Sequence, residues 1–412
     1  MNMNRRVVIS GLGVVSPLGI GKDEFWANSL DQRLTLLPTN LGGTGSYADG
    51  IAGSVKGFET QDYVPPKVVK QTDRSTHFAM AACRLAALDA GLNLDNGDAA
   101  NAGMFFSTLF GGMEFAEPEL YAQTHLAPDR VSAYQAIAWF YAATQGQWSI
   151  LTGLKGYAKT VVADRAGGLQ AVSLGALAIQ QGHSDLMFVG GFDAPLVPYT
   201  WLIHRSAGLL SPEREDAQRA YLPFGRDRSG MVLAEGAGIL LLEEREHALR
   251  RNAPIYAEVA GCSYRAGSGK LQQQPSALLE SCIRETLSQA STAPADVSHI
   301  LPEGLGTRAD DEVEATAIRS VFDERPTVSV PKAMLGHALT AAGPIDCIWA
   351  CLMMQSNTLL PTPAWTEPDP LLQLNHLQTP QTGVNLKHIL CLSRGHGNTN
   401  ASLLLRRPLY LN

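Results

Sequence analysis

The 412-residue sequence has no long apolar run. None reaches the ~20 consecutive apolar residues that a membrane-spanning helix needs. It is also short of net charge: 32 Lys+Arg against 39 Asp+Glu leave −7 at pH 7. A broad basic face for nucleic acid is therefore not expected. The densest basic stretch, "LLLRRPLY" near the end, holds only two arginines. Cysteine is sparse, with six residues (Cys83, Cys262, Cys282, Cys347, Cys351 and Cys391) and no CxxC spacing, which argues against a metal knuckle or a dithiol redox centre. Cys347 and Cys351 stand one helical turn apart and read as core packing. Low-complexity segments and linkers are missing too. The opening "MNMNRR" runs straight into "VVISGLGVV", a short stretch followed by Pro and Gly with no small-residue cleavage site. It reads as a strand rather than an export signal. The expectation is a cytoplasmic protein with reduced thiols.

The patterning that is present alternates strands with helices. "RVVISGLGVV" (6–15) reads as a buried strand and "STHFAMAACRLAALDAG" (75–91) as a helix. Phe78, Ala82, Leu85 and Leu88 would face the core, and Gly91 would stop the helix. Strands follow at 102–109, 159–163, 185–193 and 236–244, with a helix after the second. The second part repeats the order: strands at 255–262, 297–304, 327–332, 387–395 and 401–407, with helices at 276–290 and 340–355. Leu279, Ile283, Leu287 and Ala290 line one face of the first of these helices. Two similar α/β halves, 1–250 and 251–412, point to an internal duplication made uneven by insertions at 20–72 and 109–158. Strands this apolar are covered on both faces, so sheets lie between helix layers.

One segment poses a chemical question. "TVVADRAGGLQAVSLGALAI" (160–179) reads as a strand, a sharp turn and a helix. That geometry presents a nucleophile at a helix N-terminus, where the helix dipole lowers its pKa. The residue at the presentation point is Arg165, whose guanidinium has five donors, no acceptor and a permanent charge.

Three long segments carry a resemblance: "VVISGLGVVSPLG" (7–19), "YLPFGRDRSGMVLAEGAGILLLEE" (221–244) and "VPKAMLGHALTAAGPID" (330–346). Together the chain resembles, over almost its full length, the beta-ketoacyl synthases of the thiolase superfamily. Three more segments, "ADRAGGLQA" (163–171), "SAYQAIAWFYAATQGQWSI" (132–150) and "LSRGHGNTNAS" (392–402), resemble the chain-length factors, or ketosynthase-beta subunits, of type II aromatic polyketide synthases. The resemblance implies an α/β thiolase-like fold: two pseudo-symmetric halves in a layered αβαβα arrangement.

It also implies what is missing. A condensing ketosynthase uses a cysteine thiol, two histidines and an oxyanion hole built partly from the glycine-rich C-terminal turn. By the resemblance, the cysteine falls on Arg165 and the first histidine on Leu305 of "EGLGTRADD" (303–311). The second histidine is kept as His337, with Lys332 upstream. Relatives more often carry Gln at the elbow and lack the second histidine, so Arg165 and His337 are departures. His337 reads either as a relic bonded internally or as a group with residual decarboxylating activity. A buried Arg165 needs a counter-charge. The candidates are Asp164 and the acids Asp310, Asp311, Glu312 and Glu314.

The function implied is that of a non-catalytic subunit. It would heterodimerise with an active ketosynthase-alpha subunit and shape the polyketide tunnel. It would need no cofactor of its own, since the phosphopantetheine arm of the acyl carrier protein would act mainly through the partner. Chain length would be gated by Met113, Ala116 and Leu120, whose i, i+3, i+7 spacing puts them on one helix face. Their modest size implies an octaketide-like or slightly longer chain. The aromatic segment 131–148, with Tyr134, Trp139, Phe140, Tyr141 and Trp148, would divide between the partner interface and the core. Two other readings stay open: a condensing or decarboxylating enzyme that uses His337, and a binding or scaffold protein outside polyketide synthesis.

Overall fold

The computed structural model describes residues 5–41, 49–97, 99–267, 276–322, 326–363 and 365–408. The first half contributes β1 (Val7–Ser16), α1 (Arg74–Asp89), β2 (Gly103–Ser107), α2 (Met113–Tyr121), β3 (Ala158–Val161), α3 (Gly167–Gln180), β4 (Leu186–Asp193), α4 (Pro198–Ser206) and β5 (Gly236–Glu244). The second contributes β6 (Ala257–Ala266), α5 (Ser276–Gln289), β7 (His299–Leu301), α6 (Arg308–Val321), β8 (Thr327–Val328), α7 (Ala342–Ser356), β9 (His388–Arg394) and β10 (Thr399–Arg406).

The duplication is visible in the strand order. The first half pairs β3-β2-β4-β5-β1 and the second β8-β7-β9-β10-β6, the same permutation twice. The directions match as well. β2 is parallel to β3 and β4, as β7 is to β8 and β9, and the remaining pairings in each half are antiparallel. The halves join where Val8 and Ile9 pair with Glu258 and Ala257.

Between the halves lie α3 and α7. Residues 342–354 of α7 are buried without exception, as a helix covered by a sheet on each side must be. α1 covers the outer face of the first sheet and α5 with α6 that of the second. The layers therefore run α, β, α, β, α, as the resemblance implied.

Phe78 and Ala82 of α1 face the core as expected and Leu85 packs against it half-buried, but Leu88 does not. The helix's stripe of small residues, Ala79, Ala82, Cys83, Ala86 and Ala90, is fully buried, whereas Leu88 is 76% exposed. Gly11 and Gly13 of β1 allow this approach, since a Cβ on either would collide with the carbonyl oxygen of Ala86 or Ala82. A close contact selects the smallest stripe, and Leu88 lies across the helix from it. In α5, by contrast, Leu279, Ile283 and Leu287, with Ala290 just after, are all buried.

The strand expected at 297–304 closes after Leu301. Pro302 has no N–H, and the amides of Glu303 and Gly304 donate to the Glu314 carboxylate at 2.9 and 3.0 Å instead of to a ladder. That carboxylate belongs to α6, a helix the sequence reading passed over as a cluster of acids. No helix among the described residues is long and apolar enough to cross a membrane.

Candidate functional site

The elbow follows β3. Asp164 takes φ +50°, a left-handed conformation that Asp tolerates better than most residues. The turn sets Arg165 at the foot of α3. Gly167 and Gly168 begin that helix because there is no room for a side chain: a Cβ on Gly168 would meet the Thr340 carbonyl oxygen. The strand-turn-helix elbow expected from the sequence is present, and Arg165 on it is buried, 3% exposed.

Its charge is compensated inside the protein. Arg165 Nε donates to Glu303 Oε1 at 3.3 Å, and Nη1 stands 3.7 Å from Asp164 Oδ2. Burial would lower the guanidinium pKa, but Asp164, Glu303 and Asp310 outweigh it and keep the group charged. Glu303 is the principal partner and was missing from the candidates named above. It lies in the resembling turn, two residues before Leu305, and the only signal for it in sequence was its place in an otherwise apolar loop.

The other named acids have different duties. Asp311 accepts the amides of Phe224 at 2.7 Å and Gly306 at 3.0 Å. Glu314 holds the amides of Glu303 and Gly304. Asp310 completes the N-terminal cap of α6 with Thr307, and Glu312 is exposed on the outer face. Asp311 and Glu314 therefore pin the loop that carries Glu303 and Leu305 without touching Arg165.

His337 shares Glu303. Its Nε2 donates to Glu303 Oε1 at 2.9 Å, and its Nδ1 accepts the Leu339 amide at 3.2 Å. These two bonds assign a neutral ring with its proton on Nε2. Burial pushes His337 below the usual histidine range, and the cations Lys332 and Arg165 add to this against the opposing pull of Glu303. Burial tends to raise the Glu303 carboxyl, but His337, Lys332 and Arg165 together hold it well below the usual range. Lys332 spends its three donors on Asp346 Oδ2 at 2.5 Å, Pro302 O at 2.9 Å and Glu303 O at 3.1 Å. His204 of α4 is a further buried ring near Arg165 and His337, lowered to about 4 by burial.

Leu305 is 1% exposed and packs with Leu233, Met231, Tyr221, Ala333 and Leu339. It offers no polar atom. The C-terminal turn is committed as well: the His396 amide donates to Asp164 Oδ2, so the carboxylate beside the elbow occupies an N–H of the turn that the resemblance assigns to the oxyanion hole. The cysteines are free, none stands at the elbow, and all but Cys262 are buried. If the positions correspond as the resemblance implies, Arg165 and Leu305 stand where the thiol and first histidine would be, and one N–H of the C-terminal turn is taken by Asp164.

Met113 and Ala116 of α2 are buried, whereas Leu120 at its far end is 43% exposed. The expected helix is there, but the three residues run from core to surface along it. Tyr134, Trp139, Phe140 and Tyr141 are exposed by 36% to 64%, while Trp148 is fully buried against Phe188. Trp148 thus lies in the core and the other four aromatics at the surface. Ile150, Val162, Tyr199 and Leu202 are exposed too. Among the described residues β3, beside Val162, is the outermost strand of its sheet and pairs only with β2.

Residues 4–248 match the family model of the beta-ketoacyl synthase N-terminal domain, and residues 256–366 that of its C-terminal domain. The chain belongs to the beta-ketoacyl synthase family. It is 32% identical to the tetracenomycin polyketide synthase ketoacyl synthase beta subunit of Streptomyces glaucescens, over 97% of this chain and 98% of that one. It is 31% identical to the 3-oxoacyl-[acyl-carrier-protein] synthase 2 of Coxiella burnetii, over 98% and 99%. Among solved structures it superposes on the ishigamide ketosynthase/chain length factor with a TM-score of 0.91 at 27% identity, covering 98% of this chain and 99% of that one. A type II polyketide synthase acyl-carrier protein in complex with its ketosynthase gives 0.89 at 28% identity, covering 98% and 100%. Identity does not separate a beta subunit from a synthase here.

Proposed function

We propose that this chain is the chain-length factor of a type II polyketide synthase, a subunit without condensing activity of its own that pairs with an active ketosynthase and shapes the polyketide tunnel. The single observation that carries this reading is Arg165, buried at the nucleophile's position and neutralised by Glu303 and Asp164. A guanidinium held this way cannot take an acyl group. Leu305 removes the first histidine, and the neutral His337 is bonded on both nitrogens, which favours the relic over a decarboxylating group. The similarity to a ketoacyl synthase beta subunit and to a ketosynthase/chain length factor supports the same reading.

The partner would be a ketosynthase-alpha subunit, seated on the exposed aromatic face around Tyr134, Trp139, Phe140 and Tyr141 and on the open edge of β3. Met113, Ala116 and Leu120 would form the chain-length gate, since α2 runs from the core to that face. The acyl carrier protein and its phosphopantetheine arm would act mainly through the partner.

The test is co-expression with the ketosynthase encoded beside this chain, followed by mass analysis and product assay. A one-to-one complex that makes polyketide only with both chains present supports the proposal. A homodimer indifferent to the ketosynthase refutes it. Malonyl-carrier-protein decarboxylation by the purified chain alone would refute the non-catalytic reading and restore an active role for His337.

A further inference from the structure

A second charged site lies away from the elbow, at the junction of α1 and α2. A cavity of about 290 Å³ is lined there by Asp73, Arg74, His77, Glu114 and Phe115, with threonines completing it. Asp73 is only 4% exposed. Its Oδ1 caps α1, accepting the Thr76 amide at 3.2 Å and the Ser75 hydroxyl at 2.7 Å. Among the described residues its Oδ2 has no hydrogen-bond partner. A buried carboxylate oxygen left unpaired is costly and calls for a donor.

The cation already present does not supply one. Arg74 is committed to Glu235 through two bonds, Nε to Oε2 at 2.9 Å and Nη2 to Oε1 at 2.8 Å, so its charge is cancelled there. His77 is neutral, lowered to about 4 by burial and by Arg74, and its Nε2 pairs with the Thr72 hydroxyl. Glu114, in the first turn of α2, is drawn into the same field: burial raises its pKa, Arg74 opposes and Glu235 adds. Arg74 is spent mainly on Glu235 and only partly offsets Glu114. Among the described residues no cation faces Asp73, and burial, with Glu114 adding, pushes its carboxyl up to about 7, so a cation entering beside it would also draw off that proton.

The cavity adjoins the apolar face proposed for the ketosynthase. A Cβ on Gly112 would lie 3.3 Å from Asp73 Cγ and would also meet the Ala138 carbonyl. Gly111, next to it, backs onto the carbonyl of Trp139. Asp73 therefore stands directly behind the backbone that presents Trp139 and Phe140, and Glu114 and Phe115 follow on α2.

We propose that this acid-lined cavity is a socket for one basic side chain, a lysine or arginine, of the ketosynthase partner. The inference rests on the heterodimer reading. An ammonium or guanidinium entering between Asp73 and Glu114 gives Oδ2 its missing donor and cancels the local negative charge, with Phe115 alongside its aliphatic stem. An electrostatic contact at the margin of an apolar interface fixes register and selects among partners.

The experiment measures the dissociation constant of the heterodimer with the full-length chain across ionic strength, for Asp73→Asn, Glu114→Gln and the double variant. Asn keeps the helix cap, and Glu114 lies at the surface end of the cavity, so Glu114→Gln alone decides should Asp73→Asn fail to fold. The double variant is expected to weaken the complex about tenfold at low salt and to flatten its salt dependence. Glu114→Lys should weaken it further. Affinities within twofold of the unsubstituted chain, with an unchanged salt slope, would overturn the socket while leaving the heterodimer standing. Absence of any complex with the unsubstituted chain would overturn the heterodimer reading and the socket with it.

Discussion

Replacing Arg165 by methionine tests the electrostatics of the elbow. Methionine fills much of the same space without charge. It leaves Glu303, 1% exposed, with the His337 hydrogen bond at 2.9 Å as its one side-chain donor. Its Oε2 is unpartnered already. Removing one member of a buried ion pair costs about 3–5 kcal/mol, and the surviving His337 bond places this case near about 3 kcal/mol. The pH dependence gives a second readout. In the native chain His337 is held below its ordinary pKa of 6.5, by burial first and then by Lys332 and Arg165. A histidine whose pKa is lower in the folded state binds fewer protons there, so it costs stability as pH falls through its unfolded value. Without Arg165, His337 takes a proton more readily and becomes the counter-cation of Glu303. The variant should therefore lose about 3 kcal/mol at pH 8 and recover part of that deficit near pH 5.5. Other buried histidines, among them His77, His204 and His299, are lowered in both proteins, so the readout is the difference between them. Urea unfolding at the two pH values measures it, with Arg165→Gln/Glu303→Gln as the compensated control. A loss under about 1 kcal/mol at pH 8, the range of an exposed pair, with no change in pH dependence, would refute the picture of Arg165 as the buried partner of Glu303.

Arg165→Cys should restore no acyl transfer: the thiol would face the Glu303 carboxylate, which disfavours thiolate, and Leu305 supplies no donor. Intact-protein mass after incubation with an acyl carrier thioester checks this, and an acylated adduct would count against it. Ala116, fully buried in α2, should tolerate tryptophan only by narrowing the space around it, so the reconstituted complex should make shorter products; an unchanged product length would remove Ala116 from the gate. Phe140, 64% exposed, should become serine with little loss of stability but at least tenfold weaker ketosynthase binding, measured by calorimetry. Leu88→Glu should change stability by less than about 0.5 kcal/mol, because a side chain 76% exposed lies outside the core; a larger loss in thermal unfolding would mean α1 packs by the face the apolar spacing suggested.

The repeat of strands and helices was legible because each half uses the same order and buries its strands on both sides, which leaves continuous apolar runs. β5 was read to the residue at 236–244. Short strands were harder. β7 covers three residues because its continuation is bonded to a side chain of α6, a tertiary event that no local pattern records. Leu88 was misplaced for a related reason. Apolar spacing placed Phe78 and Ala82 inside correctly, but Gly11 and Gly13 let β1 approach the alanine stripe so closely that the buried face is centred there and Leu88 is turned out.

At the site, the loss of chemistry was legible and its compensation was not. Arg165 and Leu305 could be placed by resemblance, since what each removes is a property of the side chain alone. The partner of Arg165 is a property of the fold. Glu303 lies 138 positions away and arrives through the second half of the duplication, whereas Asp311 and Glu314 of the acidic cluster are spent on loop amides. The same contacts explain why a platform without a nucleophile persists. Gly167 and Gly168 let α3 sit against Thr340 and Ser107; Thr340 in turn binds Asp193; and Asp164 ties the elbow to the C-terminal turn. The elbow is a junction of both sheets and the middle layer, so its shape is required by packing whatever side chain it presents, and the cation it carries is held by Glu303.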